Sequence, residues 1–172
     1  MKPKSALAIA AATLASLSTY VVGVPGHADE SSTPLYVTKI PAGYRDWRVI
    51  SVAHEEGNLH SFSILLGNDT AIKAYRARKL PFPDGTIIVA LHYKHVPSEE
   101  NNKVFGDEQS LVPGAPTNIQ LEIKNSKKYA ATGGWGFGFL IDGKPVPQAQ
   151  MKSCAPCHAK ASTDFVFTRY TP

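Results

Sequence analysis

The two cysteines of the 172-residue chain lie close together near its C-terminus, in the sequence Cys154-Ala155-Pro156-Cys157-His158. This Cys-x-x-Cys-His spacing is typical of c-type haem attachment. Two thiols add to the two vinyl groups of one haem, and the adjacent imidazole becomes an axial ligand of its iron. All three side chains must reach one porphyrin, which explains their proximity. The motif therefore predicts one covalent haem c per chain, anchored by Cys154 and Cys157 and ligated by His158.

Three other kinds of site use a pair of cysteines, namely a disulfide, a thioredoxin-like redox pair and half of a zinc site. A zinc site lacks its second cysteine pair here, and none of the other histidines has a convincing metal-ligand spacing. A thioredoxin-like pair normally follows a strand near the start of a βαβ unit. A disulfide is expected in an oxidising compartment only if no cofactor takes the thiols. We therefore favour the haem.

The position of the motif near the C-terminus limits which residues can bind the opposite face of the haem iron. Only 14 residues follow His158, and the one methionine besides Met1 is Met151, just before the motif. Met151 is too close in sequence to reach the opposite face of the haem. An iron with a single strong protein ligand has an open distal position, where small molecules bind or react. This favours gas binding, or oxidation of a small nitrogen compound, over electron transfer alone.

Four further histidines of the predicted mature chain are formal candidates for a sixth ligand, and we expect surface or hydrogen-bonded core roles for them instead. They are His54, His60, His92 and His95.

The N-terminus has the pattern of a secretory signal peptide. Lys2 and Lys4 precede an apolar, alanine-rich stretch, and a small-residue site ends at Ala28. We predict a signal peptide at 1–28 and a periplasmic protein, with an uncleaved membrane anchor as the alternative. Without the two lysines the net charge falls from +4 to about +2. Such a weak charge argues against nucleic-acid binding, which needs a basic patch.

The rest of the chain predicts an α+β domain with a mainly antiparallel β-sheet and a few short helices, ending in the haem attachment segment. An exposed lead-in covers 29–43 and the domain covers 44–172. Strands are expected in YRDWRVISVAHEEG, SFSILLGN, TIIVALHYKHV, TNIQLEIKN and WGFGFLI, and a helix in NDTAIKAYRARKL. Segment 97–116 reads as a long polar loop. Few helices are available for parallel crossovers, so the sheet should be antiparallel.

Several motifs occur together in a fixed order between Tyr44 and Tyr170: YRDW, GNDTAIKAY, FPDGT, TGGWGF, CAPCH and DFVFTRY. Together they resemble the cytochrome P-460 family, which also contains cytochrome c′-beta. The resemblance implies a periplasmic homodimer with one c-type haem per chain, His158 as the proximal ligand and an open distal site. Cytochromes P-460 oxidise hydroxylamine and pass electrons to a soluble acceptor, whereas the c′-beta members bind nitric oxide and carbon monoxide.

Two positions separate these activities in the family. The hydroxylamine oxidases carry a lysine that bonds to the porphyrin, and Ala90 holds that place here, with Lys94 about 13 Å further along the strand. They also carry a distal acid, whose place is held by Gln120, although Glu122 lies two residues on. Both differences favour nitric oxide binding over hydroxylamine turnover; a plain electron carrier is the third possibility. Phe82 is a further candidate for the distal pocket.

Two other groups of residues are candidates for contact with the haem, and each also has an interpretation that involves no cofactor. In the segment GGWGFGFLI the aromatic residues fall on one strand face and the glycines on the other, which predicts either a wall against the haem or a packed core with a bulged strand. Arg45, Arg48 and Arg169 have side chains suited to the haem propionates, with exposure at the surface as the alternative.

Overall fold

Six strands follow one another in the chain and in the sheet. The computed structural model describes residues 36–171, so the predicted signal peptide at 1–28 and the start of the lead-in lie outside the described residues. The strands are β1 (Arg48–Glu55), β2 (Ser61–Gly67), β3 (Ile87–Pro97), β4 (Leu111–Lys124), β5 (Trp135–Ile141) and β6 (Lys144–Pro145). Each pairs antiparallel with the next, in the order β1 to β6. The predicted α+β fold with a mainly antiparallel sheet is confirmed.

Four short α-helices accompany the sheet within the described residues. They are α1 (Asp69–Arg76), α2 (Glu99–Phe105), α3 (Gln148–Met151) and α4 (Cys154–His158). Single 3₁₀ turns occur at Tyr44–Asp46 and Ala130–Thr132. Asn68 begins α1, because its side-chain oxygen accepts hydrogen bonds from the backbone N–H groups of Ala71 and Ile87. One asparagine thus caps the helix and joins it to β3.

Segment 97–116 is not the long loop that its polar composition predicts. Helix α2 lies within it, capped by Ser98, whose hydroxyl accepts from the backbone N–H of Asn101, and ended by Gly106 at a φ of 79°. Strand β4 begins at Leu111 and includes Pro113 and Pro116. Those prolines fall where the β3–β4 register shifts, and an irregular ladder tolerates a residue without an N–H group.

Strand β1 departs from the strict alternation that its sequence predicts. Its register with β2 shifts between Val49 and Ser51, so that Ile50 and Ser51 are both buried although they are consecutive. A bulge of this kind changes which side chains face each side of the sheet. Beyond it, Ser51 and Ala53 face one side and Val52 the other.

Both faces of the sheet carry an apolar cluster. The first face packs Ile88, Trp135 and Phe137 against helix α1 and the C-terminal segment. The second face carries Val89, Leu91, Leu121 and Leu140. The alternation of side chains along β3 therefore sends even-numbered residues toward the C-terminal segment and odd-numbered residues away from it.

The described part of the lead-in packs on β5 at its start, whereas Thr38, Lys39, Ala42 and Gly43 are exposed as predicted. Tyr36 forms an isolated bridge with Phe137, and the N–H of Val37 donates to the Phe137 carbonyl over 2.7 Å. Val37 is buried among the second-face residues because its apolar side chain covers that cluster. No helix within residues 36–171 is long and apolar enough to cross a membrane.

Candidate haem site

A cavity of about 510 Å³ lies between the first face of the sheet and the C-terminal segment. Its lining is predominantly apolar. The sheet side is built from residues that alternate along neighbouring strands, including Ala53, Ser63, Ala90, Gln120, Glu122 and Phe137. The opposite side includes Cys154, Cys157 and His158. The fold thus brings the C-terminal motif against the middle of the sheet.

The two cysteines are free thiols in the single turn of α4. Cys154 is half-buried and packs against the first-face cluster, whereas Cys157 is exposed. Burial raises the pKa of the Cys154 thiol. Both thiols therefore line one cavity in the same helical turn as the imidazole.

The ring of His158 is held in a defined orientation. Its Nδ1 lies 2.8 Å from the carbonyl oxygen of Phe165, an arrangement in which Nδ1–H donates to that oxygen. The ring packs between Phe137 and Phe167, with centroid distances of 4.8 and 5.2 Å. Burial lowers the pKa of His158, which favours the neutral ring that a metal requires. The other nitrogen, Nε2, then keeps the lone pair for a metal.

Glu122 is the acid nearest to His158. Its Oε1 lies 3.1 Å from Nδ1 of His158, and its side chain is 15% exposed. Burial, assisted by the charge of Asp164, raises the pKa of Glu122 to about 8, so that the carboxyl group is mostly protonated at pH 7. Its Oε2 is buried and has no hydrogen-bond partner among the described residues. The cavity wall therefore contains a polar atom that its protein neighbours leave unsatisfied.

A buried ion pair supports the segment that carries Phe165. Nζ of Lys124 donates to both carboxylate oxygens of Asp164, over 2.9 and 3.0 Å, and to the carbonyl of Gly133. Asp164 also accepts from the backbone N–H of Phe82 over 2.7 Å. Asp164 and Phe165 have φ values of 46° and 66°, so this turn adopts an uncommon conformation for side-chain-bearing residues. The pair fixes the turn whose carbonyl orients His158.

Ala90 and Gln120 face each other across the β3–β4 ladder, and both line the cavity. Gln120 is exposed at the edge of the cavity, and its Nε2 donates to Oδ1 of Asn118 over 3.2 Å. The structure brings these two predicted residues together at the sheet wall. Lys94 is exposed and lies outside this lining.

Phe82 does not line the cavity with the other candidates. It is buried in the first-face cluster, where its ring meets those of Tyr75 and Trp135 edge-on at 4.9 and 5.8 Å. The physical reason is that these large rings and helix α1 offer Phe82 a fully apolar site. The position of Phe82 in the structure is that of a core residue.

Strand β5 borders the cavity with two aromatic residues and with Gly138. Phe137 and Phe139 line it, whereas a side chain on Gly136 would collide with the ring of Tyr129, and one on Gly138 with the carbonyl of Val37. That this strand forms a wall against the haem stays a prediction, but the glycines have a packing role in any case. They allow a tyrosine and a neighbouring backbone to pack closely on the second face.

Of the three arginines considered for the propionates, Arg169 alone lines the cavity. Arg48 lies 3.8 Å from Asp69, and Arg45 lies over the ring of Tyr44. Their partners are thus elsewhere on the surface.

A family model, described as Cytochrome P460, matches residues 41–168. The chain belongs to the cytochrome P460 family. No curated protein matches the chain. Membership in this family makes the chain a haem-binding cytochrome, as the resemblance implied.

The cavity of this cytochrome P460 fits a haem. Its volume is within the range of cofactor pockets, about 300–1,000 Å³, and its lining is predominantly apolar. Two free thiols and a neutral imidazole, with one nitrogen occupied by a backbone carbonyl, lie on one side. The unsatisfied Oε2 of Glu122 shows that the wall is incomplete without a further group.

Two residues of this cytochrome P460 site were outside the reach of the sequence pattern. No recognisable motif surrounds Asp164. Lys124 is at the end of a strand in which apolar and polar residues alternate. They lie 40 positions apart, so only the folded sheet and the returning C-terminal segment bring them together. The motif identifies the residues predicted to bind the cofactor but not those that hold His158 in place.

Proposed function

We propose that this protein is a periplasmic mono-haem cytochrome whose haem is covalently attached and whose open distal site binds nitric oxide. The observation that carries the proposal is the pairing of Ala90 with Gln120 on the sheet wall of the cavity. A methyl group and an uncharged amide stand there, and neither is a nucleophile or a base at neutral pH. Such a wall suits a small uncharged ligand.

Cys154, Cys157 and His158 would hold the haem. The thiols would form the two thioether links, and Nε2 of His158 would be the axial ligand, with Nδ1 already donating to Phe165. When bound, the haem supplies an iron centre that takes up small diatomic ligands and exchanges electrons. Phe137 and Phe167 pack against the imidazole and limit its rotation.

The second candidate function is oxidation of hydroxylamine, with the electrons passed to a soluble acceptor. Glu122 favours it, because it is an ionisable acid in the cavity wall. Against it, Oε1 of Glu122 lies 3.1 Å from Nδ1 of His158, and the raised pKa leaves only a minor fraction of the carboxyl group ionised at pH 7. Only that ionised fraction can accept a proton from a substrate. Nitric oxide binding is therefore the better-supported activity.

The compartment and assembly are part of the same proposal. Lys2, Lys4 and the apolar stretch up to Val24 support export, and covalent haem attachment of this kind takes place outside the bacterial cytoplasm. Family membership supports a homodimer, and a soluble electron-transfer partner is expected if the iron changes oxidation state. Intact mass would test processing directly, because cleavage after Ala28 leaves a chain that begins at Asp29.

One set of measurements tests the function. The protein is produced with the c-type maturation machinery, and its intact mass and optical spectra are recorded in both oxidation states, with and without nitric oxide and hydroxylamine. We expect a mass equal to the chain plus one haem, a five-coordinate spectrum, and a spectral change with nitric oxide but no hydroxylamine turnover.

Three outcomes would contradict the proposal. A strongly red-shifted absorption with hydroxylamine turnover would assign the second candidate function. A six-coordinate spectrum that is insensitive to both ligands would leave a plain electron carrier. Chains without haem would exclude all three. Cys154→Ser and Cys157→Ser, which each remove one thioether, should still retain covalent haem singly and lose it together.

A further inference from the structure

Three histidines meet on the side of the sheet away from the haem cavity. His54 lies in β1 between Ala53 and Glu55, which line the cavity, so its side chain points to the other face. His95 lies near the end of β3, and His60 immediately precedes β2. His95 is 41 and 35 positions from His54 and His60, which is why the sequence spacing does not indicate the cluster. We call these residues, together with Glu56, the histidine cluster.

The ring nitrogens of the cluster are in direct contact. Nε2 of His54 lies 2.7 Å from Nδ1 of His95, and Nδ1 of His60 lies 3.2 Å from Nε2 of His95. Oε1 of Glu56 lies 3.3 Å from Nε2 of His54. Both nitrogens of His95 are therefore engaged, one toward His54 and one toward His60.

The backbone and one aromatic ring set these positions. The N–H of His95 donates to the carbonyl of His60 over 3.3 Å, and His54 pairs with Phe62 in the β1–β2 ladder. The Phe62 ring lies 4.9 Å from the His54 ring and 6.0 Å from the His95 ring. Strands β1 and β3 thus hold the imidazoles of His54 and His95 beside one aromatic ring, with His60 next to His95.

We propose that the histidine cluster binds one divalent transition-metal ion of the zinc class. Nε2 of His54, Nδ1 of His95 and Oε1 of Glu56 would be the ligands, since one ligand atom from each residue lies within 4.8 Å of the others. Imidazole and carboxylate are the donors that such ions take in proteins.

The distances between the three proposed ligand atoms agree with this assignment. Bonds of about 2.0–2.1 Å at tetrahedral angles place ligand atoms about 3.3 Å apart. The contact between His54 and Glu56 already has that length, at 3.3 Å. The contact between His54 and His95, at 2.7 Å, must widen by about 0.6 Å, a shift that side-chain rotation of the exposed His54 accommodates.

His60 has a different role in this arrangement. When Nδ1 of His95 binds the ion, Nε2 of His95 carries the proton and donates it to Nδ1 of His60, which lies 3.2 Å away. A hydrogen bond of this kind fixes the tautomer and orientation of a metal ligand. His60 is thus a positioning residue. With three protein ligands the ion keeps a fourth position for water.

The test uses the holocytochrome, purified without a polyhistidine tag and freed of metals by a chelator that is then removed. Titration with zinc chloride is followed by calorimetry, and X-ray absorption at the zinc edge reports the ligands separately from the haem iron. We expect one zinc per chain, two imidazole nitrogens and a carboxylate oxygen. His54→Ala and His95→Ala should each abolish the binding, and His60→Gln should weaken it about 10- to 100-fold.

Matched controls keep the outcome clear. Glu56→Gln should weaken zinc binding, whereas Glu100→Gln, which changes an exposed carboxylate on α2, should leave it unchanged. His54→Gln and His95→Gln replace the alanine variants if those fail to fold, as judged by circular dichroism. Equal zinc affinity in the native protein and the His54→Ala/His95→Ala double variant would overturn the proposal. A zinc-edge spectrum without imidazole scattering would do the same.

Discussion

Oε1 of Glu122 lies 3.1 Å from Nδ1 of His158, the same nitrogen that donates to the carbonyl of Phe165 over 2.8 Å. The predicted iron ligand therefore has a hydrogen-bond acceptor behind it in the C-terminal turn, and a carboxyl oxygen of β4 close to the same nitrogen. Acceptors at this nitrogen increase the basicity of a ligating imidazole. A more basic ligand stabilises the oxidised iron relative to the reduced iron.

Removal of the acceptor at position 122 should raise the haem midpoint potential. We expect Glu122→Leu to raise it and Glu122→Gln, which keeps an oxygen acceptor, to leave it close to the native value. Gln120→Leu is the matched control, since Gln120 lines the same cavity but donates to Asn118. Spectroelectrochemical titration measures the midpoint potential of the native protein and of the three variants. Equal potentials in the native protein and the leucine variant would show that Glu122 does not act on the ligand.

Enlarging Ala90 should hinder ligands at the sheet wall. Ala90→Leu places an additional isopropyl group in the cavity, and overpacking costs about 1–3 kcal/mol, which corresponds to about 5- to 150-fold weaker nitric oxide or carbon monoxide binding. Flash photolysis of the carbon monoxide complex measures the change. Val52→Leu enlarges an exposed residue on the other face and should have no effect. Unchanged binding by Ala90→Leu would place the ligand site elsewhere in the cavity.

Loss of one partner of the Lys124–Asp164 pair should destabilise the fold. The two side chains are 6% and 14% exposed, so either charge would remain buried without its partner. The expected loss is about 3–5 kcal/mol for Lys124→Met or Asp164→Leu, and less for the double variant, which leaves no unpaired charge. Urea unfolding followed by circular dichroism gives the three values. Additive losses would contradict a direct pairing energy.

Asp84 should contribute to acid sensitivity. The backbone N–H and the hydroxyl of Ser126 both donate to its carboxylate and hold its pKa below the ordinary value. These bonds stabilise the fold fully above the unfolded-state pKa of about 3.9, and the stabilisation disappears as the pH falls through the lower native pKa. Asp84→Asn should therefore have a lower urea midpoint than the native protein at pH 6, with the difference vanishing near pH 2.

Asp107→Asn, another exposed aspartate in a turn, is the control for this pH dependence. If the difference between the native protein and Asp84→Asn persists unchanged into acid, the carboxylate of Asp84 is not the group responsible.

Gly136 should not tolerate a side chain. A Cβ atom there would lie 2.3 Å from the ring of Tyr129, which is itself buried. We expect Gly136→Ala to cost about 1–3 kcal/mol in unfolding free energy. The same substitution in a Tyr129→Leu background should cost less, because the smaller side chain leaves room. A double-mutant cycle measured by urea unfolding checks this, and a coupling energy of zero would contradict it.

The sequence predicts the sheet well, because its strands are dense in β-branched residues with turn signals between them. Strand β3 is an example, from Ile87 to Pro97. Helix α2 and the first half of β4 were missed, since the caps at Ser98 and Gly106 are weak signals in a polar segment and the prolines of β4 argue against a strand. The local sequence does not show where the hydrogen bonding between two strands is irregular, because that depends on a partner strand that is distant in sequence.

The residues of the candidate site also differ in how far the sequence predicts them. Cys154, Cys157 and His158 follow from one local motif whose chemistry requires adjacency. Ala90 and Gln120 were predicted through the family resemblance, and both line the cavity. The core position of Phe82, the Lys124–Asp164 pair and the histidine cluster depend on contacts between residues remote in sequence. Such contacts are decided by tertiary packing, which periodicity does not encode.

Each strand of the sheet pairs with the strand that follows it in the chain, from β1 to β6. Such a meander has short loops to close between partners, and local pairings form faster than distant ones. The segment with Cys154 and His158 is made after all six strands, and the backbone N–H of Thr171 reaches back to the carbonyl of Ile50 in the first. The receiving wall can thus form without the residues that anchor the cofactor, and the C-terminal segment completes the cavity from the opposite side.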